Sequence, residues 1–153
     1  MTRLYRGKNS GATLSIANSV NHDFDGHAIV NNGTVNWTFG PLRSGSSGYI
    51  SNNGVSNDSA FGVTINQDYA GGATFVNGVS GTYNKTSGST TFSVPFTNSG
   101  LINISAGSLT AGTTFNAGGV LNVGSSGSFN ATLPVTFESG SVVRGEGVVA
   151  STT

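Results

Sequence analysis

The fold is decided by two stretches of sequence that lie 19 residues apart, Gly100-Leu101-Ile102-Asn103-Ile104 and Gly119-Val120-Leu121-Asn122-Val123. In both stretches the second and fourth residues after the glycine are apolar, which is the pattern of a β-strand with one buried face. These apolar side chains are therefore predicted to face a core, and Asn103 and Asn122 to face outward. Because equivalent residues recur at a fixed interval, we expect the two strands to lie one above the other.

Similar turns, mostly Asn-Gly or Ser-Gly, recur along the rest of the chain. The aligned glycines are Gly11, Gly33, Gly54, Gly81, Gly100, Gly119 and Gly140, at intervals of 22, 21, 27, 19, 19 and 21 residues. A period of about 20 residues indicates stacked repeats, since one such unit cannot bury its apolar face alone. Helical repeats are excluded because good helix formers are sparse, whereas Thr, Val, Ile and Phe are common. At these corners glycine and asparagine are predicted to allow a positive φ.

These observations predict an all-β protein, a single-stranded parallel β-solenoid (β-helix) of six to seven coils of 19–27 residues. The repeat array is predicted to span residues 11–149, between an N-terminal edge or cap segment, 1–10, and a C-terminal tail, 150–153. The predicted core columns contain Ile29, Val35, Phe96, Ile102, Ile104, Phe115, Leu121, Val123 and Val142. Alternation places Trp37 and Tyr83 in the same core.

The coil after Gly54 departs from this pattern. Ser56 and Asp58 stand where apolar residues are expected, and the alternation resumes only at Phe61, Val63 and Ile65. This coil is also the longest, and its segment 67–72 is predicted to be a loop that bulges from the stack. Because insertions in repeat proteins often lie on a binding face, Asp68 and Tyr69 are the candidate ligand-contact residues. An ordinary surface loop is the alternative.

The composition argues against several classes of function. Only 8% of the residues are charged and the formal net charge is zero, so nucleic-acid binding is not expected. No stretch approaches the roughly 20 apolar residues of a membrane span, so membrane insertion is not expected either. Cysteine is absent, which removes disulfides, thiolate metal sites and cysteine nucleophiles. Disorder is the competing interpretation of a chain rich in Gly, Ser, Asn and Thr, but recurring Phe, Val and Ile favour a packed core.

Polar candidate sites are few. The densest is 21–27, which holds His22, His27, Asp23 and Asp25 and suggests either a metal site or a surface turn. The turn is preferred because the later acidic ligands of a calcium loop are missing. Asp58, Asp68, Glu138 and Glu146 fall in different coils without obvious alignment, and Arg43, Lys85 and Arg144 look equally isolated. We therefore expect no enzyme activity, no catalytic residues, no metal and no cofactor.

One part of the chain has the form of a known type of repeat. The segment from Phe75 to Thr110 contains Val94-Pro95-Phe96-Thr97-Asn98-Ser99-Gly100 and Ser105-Ala106-Gly107-Ser108-Leu109, and 145–149 reads Gly-Glu-Gly-Val-Val. It resembles the repeats of large bacterial secreted and surface proteins, predicted β-solenoids similar to autotransporter passengers and filamentous-haemagglutinin-like adhesins, and the resemblance extends over roughly residues 11–149. The resemblance implies an extracellular or cell-surface location and a structural or adhesive role.

Three functions are therefore compared. The preferred one is a non-catalytic structural or adhesive repeat segment of a larger bacterial protein, with the chain itself as a partner because exposed solenoid ends invite stacking. The alternative is a module that binds surface glycans by stacking sugars on exposed aromatic rings, for which the candidates are Trp37, Tyr49, Tyr69 and Tyr83. Trp37 and Tyr69 on one exposed face would be evidence for it. A glycan-processing β-helix enzyme is a distant third and requires acids from neighbouring coils within hydrogen-bonding reach.

Overall fold

A computed structural model describes Tyr5–Arg6 and residues 11–151, and these residues form strands, turns and bends without a helix. One strand of each coil belongs to a seven-stranded sheet: β1 (Tyr5–Arg6), β4 (Ala28–Asn31), β7 (Gly48–Asn52), β10 (Ala73–Asn77), β13 (Phe96–Asn98), β15 (Phe115–Ala117) and β17 (Val135–Phe137). The other strands form a 12-stranded sheet: β2 (Thr13–Ile16), β3 (His22–Asp23), β5 (Thr34–Trp37), β6 (Leu42–Arg43), β8 (Val55–Asp58), β9 (Val63–Asn66), β11 (Thr82–Lys85), β12 (Ser89–Phe92), β14 (Leu101–Ala111), β16 (Val120–Ala131), β18 (Val142–Gly145) and β19 (Val148–Ser151).

The architecture is the predicted β-solenoid. Every strand pairing among the described residues is parallel, and each coil pairs with the coils before and after it. The chain makes about seven coils, and the core lies inside them, between the two sheets. The preceding coil contributes two separate strands to the 12-stranded sheet, β11 and β12, joined by a corner. In the next two coils this corner stays extended, so the single long strands β14 and β16 each take the place of two.

The predicted period is correct in the middle of the chain and shifted by one residue at both ends. Gly33, Gly54, Gly81, Gly100 and Gly119 each precede residues that pair in one column. Thr13 pairs with Thr34, however, so Ala12 rather than Gly11 occupies the equivalent position. Val120 pairs with Val142, so Ser141 replaces Gly140. The glycines at the ends belong to neighbouring turn positions that the spacing alone does not distinguish.

The reason for glycine in this column is close backbone approach, not the predicted positive φ. A Cβ on Gly33, Gly54, Gly81 or Gly119 would lie 2.1–2.2 Å from a carbonyl oxygen of the preceding coil, and none of these residues has φ in the left-handed region. Such contacts are far inside van der Waals distance, so any side chain would push the coils apart. Positive φ occurs at another corner, for example at Gly88 and Gly107.

The core columns confirm most of the predicted residues. Phe96, Ile102, Ile104, Phe115, Leu121 and Val123 are buried, and Ile29 and Val35 pack against the core while partly exposed. Val142 was assigned to the wrong face: it pairs with outward-facing Val120 and is 43% exposed, and Val143 stands opposite Leu121 instead. Because side chains alternate along a strand, the one-residue shift moved Val142 to the outside.

Rings fill the middle of the core. Phe75, Phe96 and Phe115 form a column through three coils, with edge-on contacts at centroid distances of 5.0 and 5.2 Å. The sequence alignment omitted Phe75, because extra residues separate it from its turn glycine. Each such aromatic pair contributes about 0.5–1.5 kcal/mol beyond the burial of its surface. Trp37 and Tyr83 are buried as predicted.

Asparagine forms a second interior column. Asn31, Asn52, Asn77 and Asn98 are buried, and each of the first three donates from Nδ2 to Oδ1 of the next at 2.6–2.7 Å. The other Nδ2 proton of each donates to a backbone carbonyl in the next coil. The side-chain amides of these asparagines thus form the ladder. Their backbone does not adopt the positive φ that was predicted for asparagine at the corners. An outer ladder, which includes Asn103 and Asn122, faces outward as predicted.

The long coil is explained by two insertions. From Ile65 to Phe75 the chain advances ten residues, whereas the paired residues of the next coil, Phe92 and Phe96, are four apart. Two further residues lie between Asn77 and Gly81, relative to Asn98 and Gly100. The resulting eight extra residues account for the 27-residue interval against the following 19. Segment 67–72 lies between β9 and β10, as predicted for a loop.

The limits of the array differ slightly from those predicted. Of residues 1–10, only Tyr5–Arg6 is described, and it pairs with Ile29–Val30 as a strand of the solenoid; the rest of the predicted cap segment lies outside the described residues. At the other end β19 continues to Ser151, two residues beyond the predicted end of the array at Val149. Phe61, expected to resume the buried alternation, is 79% exposed, whereas Val63 and Ile65 are buried.

Candidate functional site

The first candidate site is a cluster of polar side chains on the outside of the first coils. Asp23 of β3 and Arg43 of β6 stand directly opposite each other in parallel register. Two nitrogens of the guanidinium group donate to the two carboxylate oxygens, Nε to Oδ1 at 2.8 Å and Nη2 to Oδ2 at 2.9 Å. Such bidentate geometry is the strongest form of this ion pair.

The predicted ligand-contact residues complete this cluster. Arg43 Nη1 lies 3.3 Å from Asp68 Oδ2, and the Tyr69 hydroxyl donates to Asp23 Oδ2 at 2.8 Å. The guanidinium carbon also lies 5.5 Å from the centre of the Tyr69 ring. These contacts attach the loop 67–72 to two earlier coils. Asp68 Oδ2 and the Tyr69 hydroxyl are therefore engaged with other side chains, while the Asp68 side chain stays 46% exposed.

The electrostatics of the cluster follow from these contacts. Hydrogen bonds from Arg43 and then Tyr69 lower the pKa of Asp23 below its ordinary value, since both stabilise the carboxylate. The hydrogen bond to Asp23 raises the pKa of Tyr69, because it holds the phenol proton. The pKa of Arg43 is raised, first by its hydrogen bond to Asp23. The cluster therefore holds the Arg43 guanidinium between the carboxyl groups of Asp23 and Asp68.

The histidine-rich segment 21–27 contributes only Asp23 to this cluster. His22 Nε2 lies 3.3 Å from the carbonyl of Asn18, and His27 Nδ1 contacts the carbonyl of Asp25. Asp25 Oδ1 is buried without a hydrogen-bond partner. Among the described residues, no three His, Cys, Asp or Glu side chains lie close enough together to hold a metal ion.

An open groove of about 500 Å³ lies beside this polar cluster, between the corner 45–48 and the loop 67–72. Its lining includes Tyr49, Gln67, Thr74, Pro95 and Thr113, and none of its lining residues is charged. The Tyr49 side chain is 39% exposed and stands opposite Thr74 in the next coil. Tyr49 is one of the rings that the sequence offered for stacking on a sugar. The platform of Trp37 and Tyr69 is not formed, because Trp37 is buried.

The wall of the groove has an unusual backbone. Ser46 and Ser47 have φ of 48° and 61°, a region that residues with a side chain rarely adopt. Their N–H groups donate to the carbonyls of Ala70 and Gly71, so the strained corner is held by the loop. Strain of this kind persists only where surrounding contacts enforce it, and it is common at ligand sites.

The second candidate site is inside the solenoid and was missed by sequence reasoning. Asp58 ends β8 and Lys85 ends β11, and the two residues are paired in register. Their side chains are 1% and 0% exposed, with Nζ 3.0 Å from Oδ1. The Tyr83 hydroxyl donates to Asp58 Oδ2 at 2.6 Å, and Thr90 Oγ1 donates to the same oxygen at 2.7 Å.

This pair corrects the prediction that the charged residues are isolated. Asp58 lies beside Lys85, and Arg43 joins Asp23 to Asp68. A signal was present in the sequence: Asp58 and Lys85 each stand four residues after a turn glycine, so opposite charges occupy the same inward position in adjacent coils. Burial lowers the pKa of Lys85, and burial followed by the charge of Asp58 raises the pKa of Tyr83 well above its ordinary value.

The described residues include no helix that is long and apolar enough to span a membrane. Comparison of the chain with known proteins gives no matching family model, no matching curated protein and no matching solved structure.

Proposed function

We propose that this chain is a non-catalytic structural and adhesive segment of a larger bacterial secreted or cell-surface protein. The observation that carries the proposal is the continuity of the interior columns, in which rings, aliphatic side chains and asparagine amides each pair with their equivalents in the next coil. Such an interior resists local opening because each coil between the two ends is paired on both sides. An extended and stable rod of this kind suits a spacer that presents surfaces at a distance from the cell.

We further propose that the partner of the last coil is a second copy of the chain, stacked in parallel. Val143 faces inward above Leu121 yet is 43% exposed, because the described residues place no coil over it. At the other end Leu14 stands below Val35 in the same column and is also exposed. A second copy would bring its Leu14 onto Val143 and continue both the column and the backbone pairing.

Light scattering over a range of concentrations tests this assembly. The chain is expected to show a mass that rises with concentration, and Val143→Lys to remain monomeric, since a charge at the end of the column opposes stacking. Phe61→Lys is the matched control, because Phe61 is 79% exposed on the side of the solenoid. A wild-type chain that stays monomeric at the highest concentration, or equal association of Val143→Lys, would contradict end-to-end stacking.

The groove at Tyr49 favours a second function, the binding of a neutral glycan. An exposed aromatic ring beside hydroxyl and amide groups fits a sugar, which presents an apolar face and several hydroxyls. The uncharged lining favours neutral sugars over uronic or sialic acids. The strained corner at Ser46–Ser47 gives the groove a fixed wall.

Binding is tested first on a glycan array and then by calorimetry with tetrasaccharides of β-1,4-linked glucose and of N-acetylglucosamine. Tyr49→Ser is expected to weaken binding at least about tenfold, or roughly 1.4 kcal/mol, because the stacking surface is lost. Phe61→Ser removes an exposed ring elsewhere and is expected to bind like wild type. Absence of binding by the wild-type chain, or unchanged binding by Tyr49→Ser, would remove this second function.

A further inference from the structure

In the buried pair of Asp58 and Lys85, each polar side-chain atom has hydrogen-bond partners. Nζ lies 3.0 Å from Asp58 Oδ1, 2.9 Å from the carbonyl of Ala60 and 2.7 Å from Thr90 Oγ1. Each carboxylate oxygen accepts further bonds: the Ala60 N–H donates to Oδ1 at 2.9 Å, and the hydroxyls of Tyr83 and Thr90 donate to Oδ2. An amine and a carboxyl group are thus held in contact without exposure to solvent.

Burial changes the chemistry of this pair. In a dry interior two charges are costly, and transfer of one proton from the ammonium to the carboxylate yields a neutral amine and a neutral acid. The lowered pKa of Lys85 acts in the same direction, because burial disfavours the ammonium. A neutral amine is a nucleophile, and a protonated carboxyl group with hydrogen-bonded oxygens is an electrophile.

The neighbouring groups are arranged for a condensation. Thr90 Oγ1 lies 2.7 Å from both Nζ and Asp58 Oδ2, so its hydroxyl connects the attacking nitrogen to one carboxyl oxygen. The Ala60 N–H points at the other oxygen, Oδ1, where negative charge develops when the carbonyl carbon becomes tetrahedral. The Tyr83 hydroxyl donates to Oδ2, as Thr90 does, and this hydrogen bond assists the departure of Oδ2 as water.

We propose that Lys85 and Asp58 condense to form an intramolecular isopeptide bond between Nζ and Cγ. Nζ attacks Cγ, the C–Oδ2 bond breaks, and a proton from nitrogen reaches Oδ2 through Thr90. The ammonium and the carboxylate together yield one amide and one water molecule, so no oxidant, cofactor or activating group is needed. Oδ1 becomes the amide oxygen and keeps its bond from Ala60 N–H.

The cross-link has a clear physical consequence. It joins the ends of β8 and β11 in neighbouring coils and closes a covalent loop around the long coil with its eight extra residues. It also replaces two buried charges by a neutral amide, which removes their desolvation cost. The coil with the largest insertions would then be unable to separate from the next one. This inference does not depend on the proposed adhesive function.

The test is the intact mass of the purified, denatured wild-type chain. We expect a mass lower than the sequence mass by one water molecule. Chymotryptic digestion should release a branched peptide that contains both Asp58 and Lys85, and trypsin should fail to cleave after Lys85. Lys85→Arg should have the full sequence mass, and because the measurement is made on denatured protein, the result holds even if this variant folds poorly.

A succinimide is the rival explanation for the loss of one water molecule, since Asp58-Ser59 and Asp25-Gly26 are both able to form one. A succinimide leaves the peptides linear, and trypsin then still cleaves the wild-type chain after Lys85. The loss of water would also persist in Lys85→Arg. The proposal is overturned by a full-mass wild-type chain or by a water loss that maps to linear peptides. In the first case Asp58 and Lys85 form an ion pair only.

Discussion

Replacement of Lys85 by methionine is expected to lower the free energy of unfolding by about 3–5 kcal/mol. The variant leaves the Asp58 carboxylate buried without its cation, and removal of one member of a buried pair carries a penalty of this size. The Thr90 hydroxyl and the Ala60 carbonyl also lose their partner. The same direction holds if the wild-type pair is joined covalently, because methionine leaves a free carboxylate in either case.

Urea denaturation followed by the fluorescence of Trp37, the single tryptophan, measures this effect. Arg144→Met removes an exposed positive charge and is expected to change stability by less than about 0.5 kcal/mol. The double variant Asp58→Leu/Lys85→Met is expected to regain only part of the loss, since it removes the unpaired buried charge but leaves the hydroxyls of Tyr83 and Thr90 without their acceptor. Equal stabilities of Lys85→Met and Arg144→Met would show that the pair is not buried.

Replacement of Gly100 by valine is the second large effect, and we expect it to destabilise the chain by more than about 4 kcal/mol or to prevent folding. A Cβ at this position would lie 2.3 Å from the carbonyl oxygens of both Gly78 and Gly81. Those oxygens belong to the backbone of the preceding coil and have no freedom to move away singly. The coils would have to separate where β11 and β14 pair.

Two matched variants separate this effect from the general cost of replacing a residue. Gly11→Val introduces the same side chain where no atom of the described residues lies within 4 Å of the new Cβ, and it is expected to leave stability nearly unchanged. Asn103→Thr interrupts the outer amide ladder and is expected to cost about 1 kcal/mol. Circular dichroism and urea denaturation measure all three variants. If Gly100→Val unfolds at the same urea concentration as Gly11→Val, close packing between coils is not the reason for glycine.

Parts of the candidate sites were accessible from the sequence and parts were not. Asp68 and Tyr69 were identified because they lie in the longest interval between turns. Their contacts with Asp23 and Arg43 were not predicted, since these residues lie 46 and 26 positions before Tyr69 and meet it only when three coils are stacked. Tyr49 was named without a location, because the groove depends on how the corner 45–48 and the loop 67–72 fold against each other.

The sequence by itself determined the all-β class, the parallel stacking and most inward residues between Gly33 and Val123, because strict alternation and a regular interval leave few other ways to bury the apolar side chains. Only the tertiary structure decided the register at both ends, where Ala12 and Ser141 take the expected glycine positions. It also decided which charges meet. In a solenoid, contacts join residues about one coil apart, so corner lengths that no local pattern specifies determine that Asp68 and Tyr69 lie beside Arg43 and Asp23. The equal distance of Asp58 and Lys85 from their turn glycines, in contrast, was visible in the sequence.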